Sequence, residues 1–256
     1  MDLLDGMNLF ADIASNHRGD FKTFLQLFDE IGGAGAIPKI QLYSEETFPR
    51  RWVDHIGGLK FIPSVFRPED VDFILPYKPL GLKVASVEAT YQDLLLRCLK
   101  TDLPLIISTG GMDEEEIATL LYTLEGYPEV CLMHCTSIYP TPKEQLNLGR
   151  LAALSEDLEQ DDNITIGWSS HYPVVDPAAY ALAWAWGATQ FEVHVRPVIT
   201  GWTELATLDE QCSFTPSELK QIRSIIESLP ILEGSDDYAG PDREAVLEWR
   251  KRWGKL

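Results

Sequence analysis

The chain has 256 residues, 45% of them hydrophobic, and a formal charge of −19 from 40 acidic against 21 basic side chains. That hydrophobic fraction, with Trp, Phe and Tyr spread throughout, excludes disorder as the main state and allows a substantial core. The acidic balance argues against nucleic acid and anionic membranes as partners, because both demand a basic surface.

In chain order, "NLFADIA" (8–14) reads as a buried strand, followed by "FKTFLQLFDEIGGAG", a helical pattern ending in glycines that can cap it. "AIPKIQLY" (36–43) is the second strand-like run. The segment after it, "SEETFPRRWVDHIGG", leaves room only for a short or irregular helix, which Pro49 would interrupt. "LKFIPSV" (59–65) leads into "PEDVDFILPY", whose proline and acids suit a first helical turn. "GLKVASVE" (81–88) and "LPLIISTG" (103–110) follow, then "DEEEIATLLYTLEG", with Asp113 at the N-cap and carboxylates at the positive end of the helix dipole.

"VCLMHCT" (130–136), "ITIGWSS" (164–170) and "TQFEVHV" (189–195) complete the strand-like runs, with "DPAAYALAWAWGA" between the last two. "TPSELKQIRSIIESL" opens like a capping box, Thr215 preceding Glu218 by three residues, and "GPDREAVLEWRKRWGKL" reads as an amphipathic terminal helix. Eight runs rich in Ile, Val and Leu, with little apolar–polar alternation, suit a parallel sheet covered on both faces. Eight β–α steps predict one (β/α)₈ barrel spanning 1–256, with a doubly wound open sheet as the alternative.

The opening "MDLLDGMNLF" lacks the basic and apolar segments of a signal peptide, and no apolar run nears the ~20 residues that span a bilayer. A cytoplasmic protein is the expectation. Cys98, Cys131, Cys135 and Cys212 lack zinc-ligand spacing and are expected as free, apolar filler. No GxGxxG, GxxxxGK[ST] or GxSxG string occurs, so dinucleotide, nucleotide and esterase chemistry have no motif behind them.

In a barrel, functional residues gather at the C-terminal ends of the strands. Polar residues stand at nearly every such end. Asp12, Asn16 and His17 follow the first strand, Lys39 and Gln41 mark the second, and Ser64 the third. Lys83, Ser86 and Glu88 mark the fourth, Ser108 and Thr109 the fifth, and His134, Thr136, Ser137 and Tyr139 the sixth. Ser169 and His171 belong to the seventh, His194 and Arg196 to the eighth.

A lysine in an apolar strand is costly to bury unpaired, so one anion shared by Lys39 and Lys83 would satisfy both; otherwise each snorkels to water. Serine hydroxyls beside them can donate to phosphate or carboxylate oxygens. His171 and His194 end adjacent strands. They either share a transition metal with open positions for water or substrate, or are hydrogen-bonded histidines without one. His134, inside an apolar strand, is expected as a satisfied core histidine.

Taken in order, seven segments resemble the sialic acid synthases and their relatives that make other nonulosonic acids. "ADIASNHRGD" is similar to the family's "AEIGxNHxG", "PKIQLY" to "xVKxQ", and "FIPSVF" to "FxSTPF". "LKVASVEATYQDLLLRCLKTDLPLIISTGGMDEEEI" parallels "xKIxSGExxNxPLLxxxAxxGKPxIxSTGMxxxxEI". "LMHCTSIYPTPKEQLNL" matches "LLHCTxxYPxPxExxNL", the most distinctive stretch, while "IGWSSHY" and "FEVHV" stand for "xGxSDHT" and "xEKHF".

The resemblance covers roughly residues 8 to 228. It implies a (β/α)₈ barrel that condenses phosphoenolpyruvate with an N-acetylated aldose, using a divalent metal: manganese, with magnesium or cobalt as alternatives. It implies a phosphoenolpyruvate site of Lys39, Ser64, Lys83, Ser86, Ser108 and Ser169, with Ser137 where many members carry asparagine. His171 and His194 would hold the metal, and Glu88 would accept or relay a proton. Asp12, Glu88, Tyr139 and Asp209 would face the sugar, Asp12 replacing a glutamate.

Departures fall mainly on the sugar side. The antifreeze-like domain that usually follows the family barrel is expected to be absent, and with it the arginine it lends a partner subunit. The segment after the second strand is short, Ser170 replaces an aspartate, and Val87 replaces a glycine. A homodimer or a separate partner protein would then complete the sugar site. The competing expectations are an altered acceptor and a phosphoenolpyruvate-binding barrel without turnover. Deoxy-heptulosonate phosphate synthases share barrel and donor but would want more basic residues for a phosphorylated sugar.

Overall fold

A computed structural model describes residues 3–158, 163–198, 207–233 and 243–252. Eight parallel strands run β1 (Asn8–Asp12), β2 (Ile37–Gln41), β3 (Ile62–Val65), β4 (Leu82–Val84), β5 (Leu105–Ser108), β6 (Val130–Cys135), β7 (Ile164–Ser170) and β8 (Ala188–Val195). Each pairs with the next, and β1 pairs with β8, so the sheet closes on itself. This is the (β/α)₈ barrel expected from the alternation; an open sheet would leave β1 and β8 unpaired. A two-residue strand, β9 (Ser213–Phe214), adds outside the ring parallel to β8.

Helices return the chain between strands: α1 (Phe21–Gly33), α2 (Pro68–Ile74), α3 (Gln92–Cys98), α4 (Glu114–Leu124), α5 (Gly149–Asp157) and α6 (Pro177–Ala185). After β8 come the short α7 (Leu208–Gln211), then α8 (Pro216–Glu233) and α9 (Arg243–Arg252). Local chemistry explains their starts. Asp20 caps α1 by accepting from the Lys22 and Thr23 amides, and Asp113 and Glu116 form a reciprocal capping box on α4. Thr215 and Glu218 cap α8 in the same way. The step between β2 and β3 holds only a 3-10 helix, Arg50–His55, as its length and Pro49 predict. Part of the expected terminal helix, 240–242 and 253–256, lies outside the described residues. No helix among the described residues is long and apolar enough to cross a membrane.

The strand period of two grades the barrel interior from apolar to ionic. Near the N-terminal end, Phe10, Ile62, Ile106, Cys131 and Met133 pack with Leu4 into one buried cluster. Gly167 belongs to this layer because a Cβ there would meet the Gln190 carbonyl at 2.8 Å and Met133 Cγ at 2.9 Å. Two residues further along the same strands stand Asp12, Ser64, Ser108, Cys135 and Ser169, all lining a cavity at the C-terminal end. The core between strands and helices is built from residues such as Phe24, Leu27, Ile40, Val71, Leu94, Phe191 and Ile226, all completely buried.

Candidate active site

The cavity measures about 710 Å³ and opens at the C-terminal ends of the strands. Twelve of the thirteen predicted site residues line it: Asp12, Lys39, Ser64, Lys83, Ser86, Ser108, Ser137, Tyr139, Ser169, His171, His194 and Asp209. Glu88 does not. β4 ends at Val84, and Ser86–Glu88 curl into a 3-10 turn that leaves Glu88 half-exposed, outside the lining. Its neighbour Val87 lines the cavity instead.

Sheet register decides which of these groups meet. Asp12 is the pairing partner of Lys39 on one side and of His194 on the other, while Ser64 pairs with Lys83 and Ser169 with Glu192. Lys39 Nζ donates to Asp12 Oδ2 at 2.7 Å and Ser64 Oγ at 2.8 Å, and lies 3.6 Å from Glu192 Oε1. Asp12 also accepts from Gln41 Nε2 at 2.7 Å and from the Ala14 amide at 3.0 Å. Its carboxylate is therefore engaged by protein donors at both oxygens, and it faces Lys39 rather than open space.

Burial alone would lower the Lys39 pKa, but Asp12 and Glu192 overcome that and hold it above the usual lysine value. Asp12 and Glu192 are buried too, which would raise them, yet the lysine charges keep both below the ordinary carboxylate range. Lys83 differs. Its Nζ donates to Ser108 Oγ at 2.6 Å and the Val84 carbonyl at 3.0 Å, and among the described residues it makes no ion pair. Burial lowers its pKa, with Glu192 only partly offsetting.

The fifth and sixth strand ends form a tight cradle. The Gly110 amide donates to Ser86 Oγ at 3.0 Å, and Ser86 Oγ lies 3.1 Å from Cys135 Sγ. A Cβ on Gly110 would collide with Ser137 Oγ, with Cys135 Sγ at 2.5 Å and with Ser86 Oγ at 2.8 Å. Glycine is required here by close approach, not by backbone angle.

Next to this cradle, at the ends of β7 and β8, the two imidazoles stand 5.3 Å apart between ring centroids. His171 Nδ1 is 2.9 Å from the Thr136 carbonyl, so it carries the proton and donates. Burial, reinforced by His194, lowers the His171 pKa to about 4, and its ring is neutral at pH 7. Tyr139 packs on it at 3.9 Å between centroids. His194 Nδ1 is buried without a hydrogen-bond partner, 3.6 Å from Asp12 Oδ2, while its Nε2 lies 4.0 Å from Asp209 Oδ1. Among the described residues no group of three His, Cys, Asp or Glu side chains encloses a metal position. His134 is a core histidine, its Nε2 2.9 Å from the Leu146 carbonyl.

Glu192 is the residue sequence reasoning passed over. It is 4% exposed, accepts from Ser169 Oγ at 3.2 Å, and its Oε2 is buried without a partner. The signal was present. In a strand, residues two apart share a face, so a lone glutamate two before His194 enters the same cavity.

The fold and these groups define a closed parallel barrel that concentrates buried cations, hydroxyls and paired imidazoles at its C-terminal mouth. Residues 39–238 match the NeuB family, and the chain belongs to that family. It is 28% identical over 214 residues to the N,N'-diacetyllegionaminic acid synthase of Legionella pneumophila, covering 81% of this chain and 57% of that protein. It is 31% identical over 163 residues to the pseudaminic acid synthase of Campylobacter jejuni, covering 60% of this chain and 46% of that one. The chain thus spans about half the length of these curated relatives. A crystal structure of the N-acetylneuraminic acid synthetase from Leptospira borgpetersenii, in complex with citrate, superposes with a TM-score of 0.81 at 21% identity, covering 99% of this chain and 94% of that one. At that identity the likeness speaks for the fold.

Proposed function

We propose that this barrel condenses phosphoenolpyruvate with an N-acetylated aldose, with a divalent metal held at His171 and His194. The observation that carries this is the meeting of two buried lysines, four serine hydroxyls and two imidazoles in one cavity at the barrel mouth. Lys39 and Lys83, with Ser64, Ser86, Ser108 and Ser169, hold the phosphate and carboxylate of the donor by charge-assisted hydrogen bonds. Lys83 has the least protein charge to satisfy it, so an anion there restores the partner that burial denies it.

The donor set fits a metal in an open site. His171 gives its Nδ1 proton to Thr136 and keeps Nε2 for ligation, the second-shell arrangement that orients a metal-bound imidazole. The orphaned His194 Nδ1 is a buried polar atom awaiting a partner. Two histidines leave positions for water and substrate. Manganese, or magnesium or cobalt in its place, would supply polarisation of the acceptor aldehyde and of water.

In the condensation, the donor's double bond supplies the electron pair that joins its C3 to the aldehyde carbon. Water adds at C2, and its first proton goes to the alkoxide formed from the aldehyde oxygen. The bond from C2 to the phosphate oxygen then breaks, the second proton leaves with inorganic phosphate, and C2 becomes a ketone. The chain's contribution is to align the donor, exclude competing water and stabilise charge on the leaving phosphate. Tyr139 and Asp209, at the rim near the imidazoles, are positioned to meet acceptor hydroxyls. Asp12 acts through Lys39, and a proton-relay role for Glu88 would require its turn to move inward.

The test is phosphate release from phosphoenolpyruvate by metal-loaded protein offered a panel of N-acetylated hexosamines. Release that requires an acceptor and disappears in His171→Ala is expected. Donor binding without release under any acceptor would overturn turnover and leave an anion-binding barrel, or one component of a two-protein enzyme.

A further inference from the structure

The loop after β1 grips the far side of the mouth. Asn16 is completely buried, and its Nδ2 donates to the Val195 carbonyl and to Ser213 Oγ, both at 2.8 Å. Its Oδ1 accepts from Thr207 Oγ1 at 3.1 Å. Ser213 Oγ in turn donates to the Asp209 carbonyl at 2.6 Å. Two residues on, Arg18 makes a two-pronged contact with Glu210, Nε to Oε1 at 2.8 Å and Nη2 to Oε2 at 2.7 Å. Glu210 is 1% exposed and sits next to Asp209. Apart from the Val195 carbonyl, which ties Asn16 to the end of β8, these contacts end on the segment 207–213, whose Asp209 faces His194 Nε2.

We propose that Asn16 and Arg18 are positioning residues that fix Asp209 over His194, and through it the acceptor side of the site. Three features separate this from general packing. The contacts are polar and directional, made by a buried amide and a planar guanidinium fork. They converge on one short segment: α7 is only four residues long and cannot hold its own position by helix propensity. And they bypass the donor side, since neither Asn16 nor Arg18 touches Lys39, Lys83 or the serine cradle. Asn16 and Arg18 therefore act on the acceptor wall, whereas the start of the same loop, through the Ala14 amide on Asp12, serves the lysine side. This inference rests on the proposed condensation only for what Asp209 meets.

The test uses the whole chain and three mild variants. Arg18→Lys keeps the charge and loses the fork, Ser213→Ala breaks the link from Asn16 to the Asp209 carbonyl, and Asn16→Ala removes the hub. Hydrogen exchange is measured at the amides of 207–214, phosphoenolpyruvate affinity by calorimetry, and acceptor KM by phosphate release. Expected are exchange about tenfold faster in that segment with the barrel strands unchanged, acceptor KM raised about tenfold, and donor Kd within twofold of the parent. Unchanged exchange in all three variants overturns the proposal. So does faster exchange with an unmoved acceptor KM, or an equal loss of donor and acceptor binding. If the parent releases no phosphate with any acceptor, the condensation fails on its own. The clamp is then judged by exchange and by the separation of Asp209 from His194 in crystals of Arg18→Lys, an unchanged separation overturning it.

Discussion

Asp12 and His194 face each other across the seam that closes the barrel, paired in register between β1 and β8, with Asp12 Oδ2 3.6 Å from His194 Nδ1. The same oxygen takes Lys39 Nζ at 2.7 Å. One buried carboxylate thus stands between the Lys39 ammonium and one of the two paired imidazoles. The β1–β8 seam, Lys39 and the imidazole pair meet at this single charge, so a change at Asp12 reaches all of them.

Asp12→Ala leaves the Lys39 ammonium buried with the more distant Glu192 as its nearest counter-charge and Asp209 further off. Breaking a buried pair from one side costs about 3–5 kcal/mol, and chemical denaturation should show a loss of that order. Phosphoenolpyruvate should raise the melting temperature of this variant more than that of the parent, because the ligand replaces the missing anion. An equal rise in both proteins would mean that the ligand does not reach Lys39.

The two lysines should respond differently to removal. Lys39→Ala strips Asp12 and Glu192 of their partner and should destabilise the fold. Lys83→Ala removes an ammonium that burial already disfavours, so stability should change little. Donor affinity should nevertheless fall by roughly 10- to 100-fold, the worth of a charge-assisted hydrogen bond at ~1.5–3 kcal/mol. Raising the pH should weaken donor binding below the ordinary lysine range, because the depressed Lys83 deprotonates before Lys39, which is held high. Calorimetric titrations across the alkaline range check this, and donor affinity unchanged in Lys83→Ala removes that residue from the site.

Gly110→Ala places a methyl group among Ser86, Cys135 and Ser137. Overpacking of this kind costs about 1–3 kcal/mol, which a barrel with a large core survives. Ser86 loses its alignment, and donor affinity should drop about tenfold, equivalent to ~1.4 kcal/mol. Circular dichroism together with donor titration separates the two effects. A folded variant with parental affinity would show that the cradle does not touch the donor.

The barrel was legible because its strands are continuous Ile, Val and Leu runs separated by capped helices, a pattern that depends only on local sequence. Closure follows from the count. What a local pattern could not reveal is where each strand stops. "LKVASVE" stays largely apolar, yet β4 ends at Val84 and the chain curls, which exposes Val87 and takes Glu88 out of the cavity. The lysines, serines and histidines stood out as polar residues in apolar company. Glu192 stands in the same apolar company two places from His194, but its contact with Ser169 depends on the register between β7 and β8. Asp12 was visible as a residue but not as the counter-charge of Lys39, because that contact depends on register between strands 27 residues apart. The Arg18–Glu210 contact spans 192 positions, beyond any spacing argument.

His17 gives the fold an acid limit of its own. It is 1% exposed, its ring lies edge-on to Trp52 at 4.9 Å and Phe24 at 6.1 Å, and its Nδ1 accepts from the Gly19 amide at 3.0 Å. Burial pushes its pKa down to about 4 from 6.5. The folded ring therefore stays neutral where the unfolded ring has already taken a proton. The stability this contributes is complete above pH 6.5 and is lost as the pH falls from there toward 4, because the unfolded state binds more protons in that window. At pH 4.5 the loss amounts to about 2–3 kcal/mol, from 1.36 kcal/mol per pKa unit. Urea denaturation of the parent and of His17→Gln at pH 7.5 and 4.5 measures it. The gap between the two pH values should shrink by that amount in the variant, and an undiminished gap would assign the acid sensitivity to other groups.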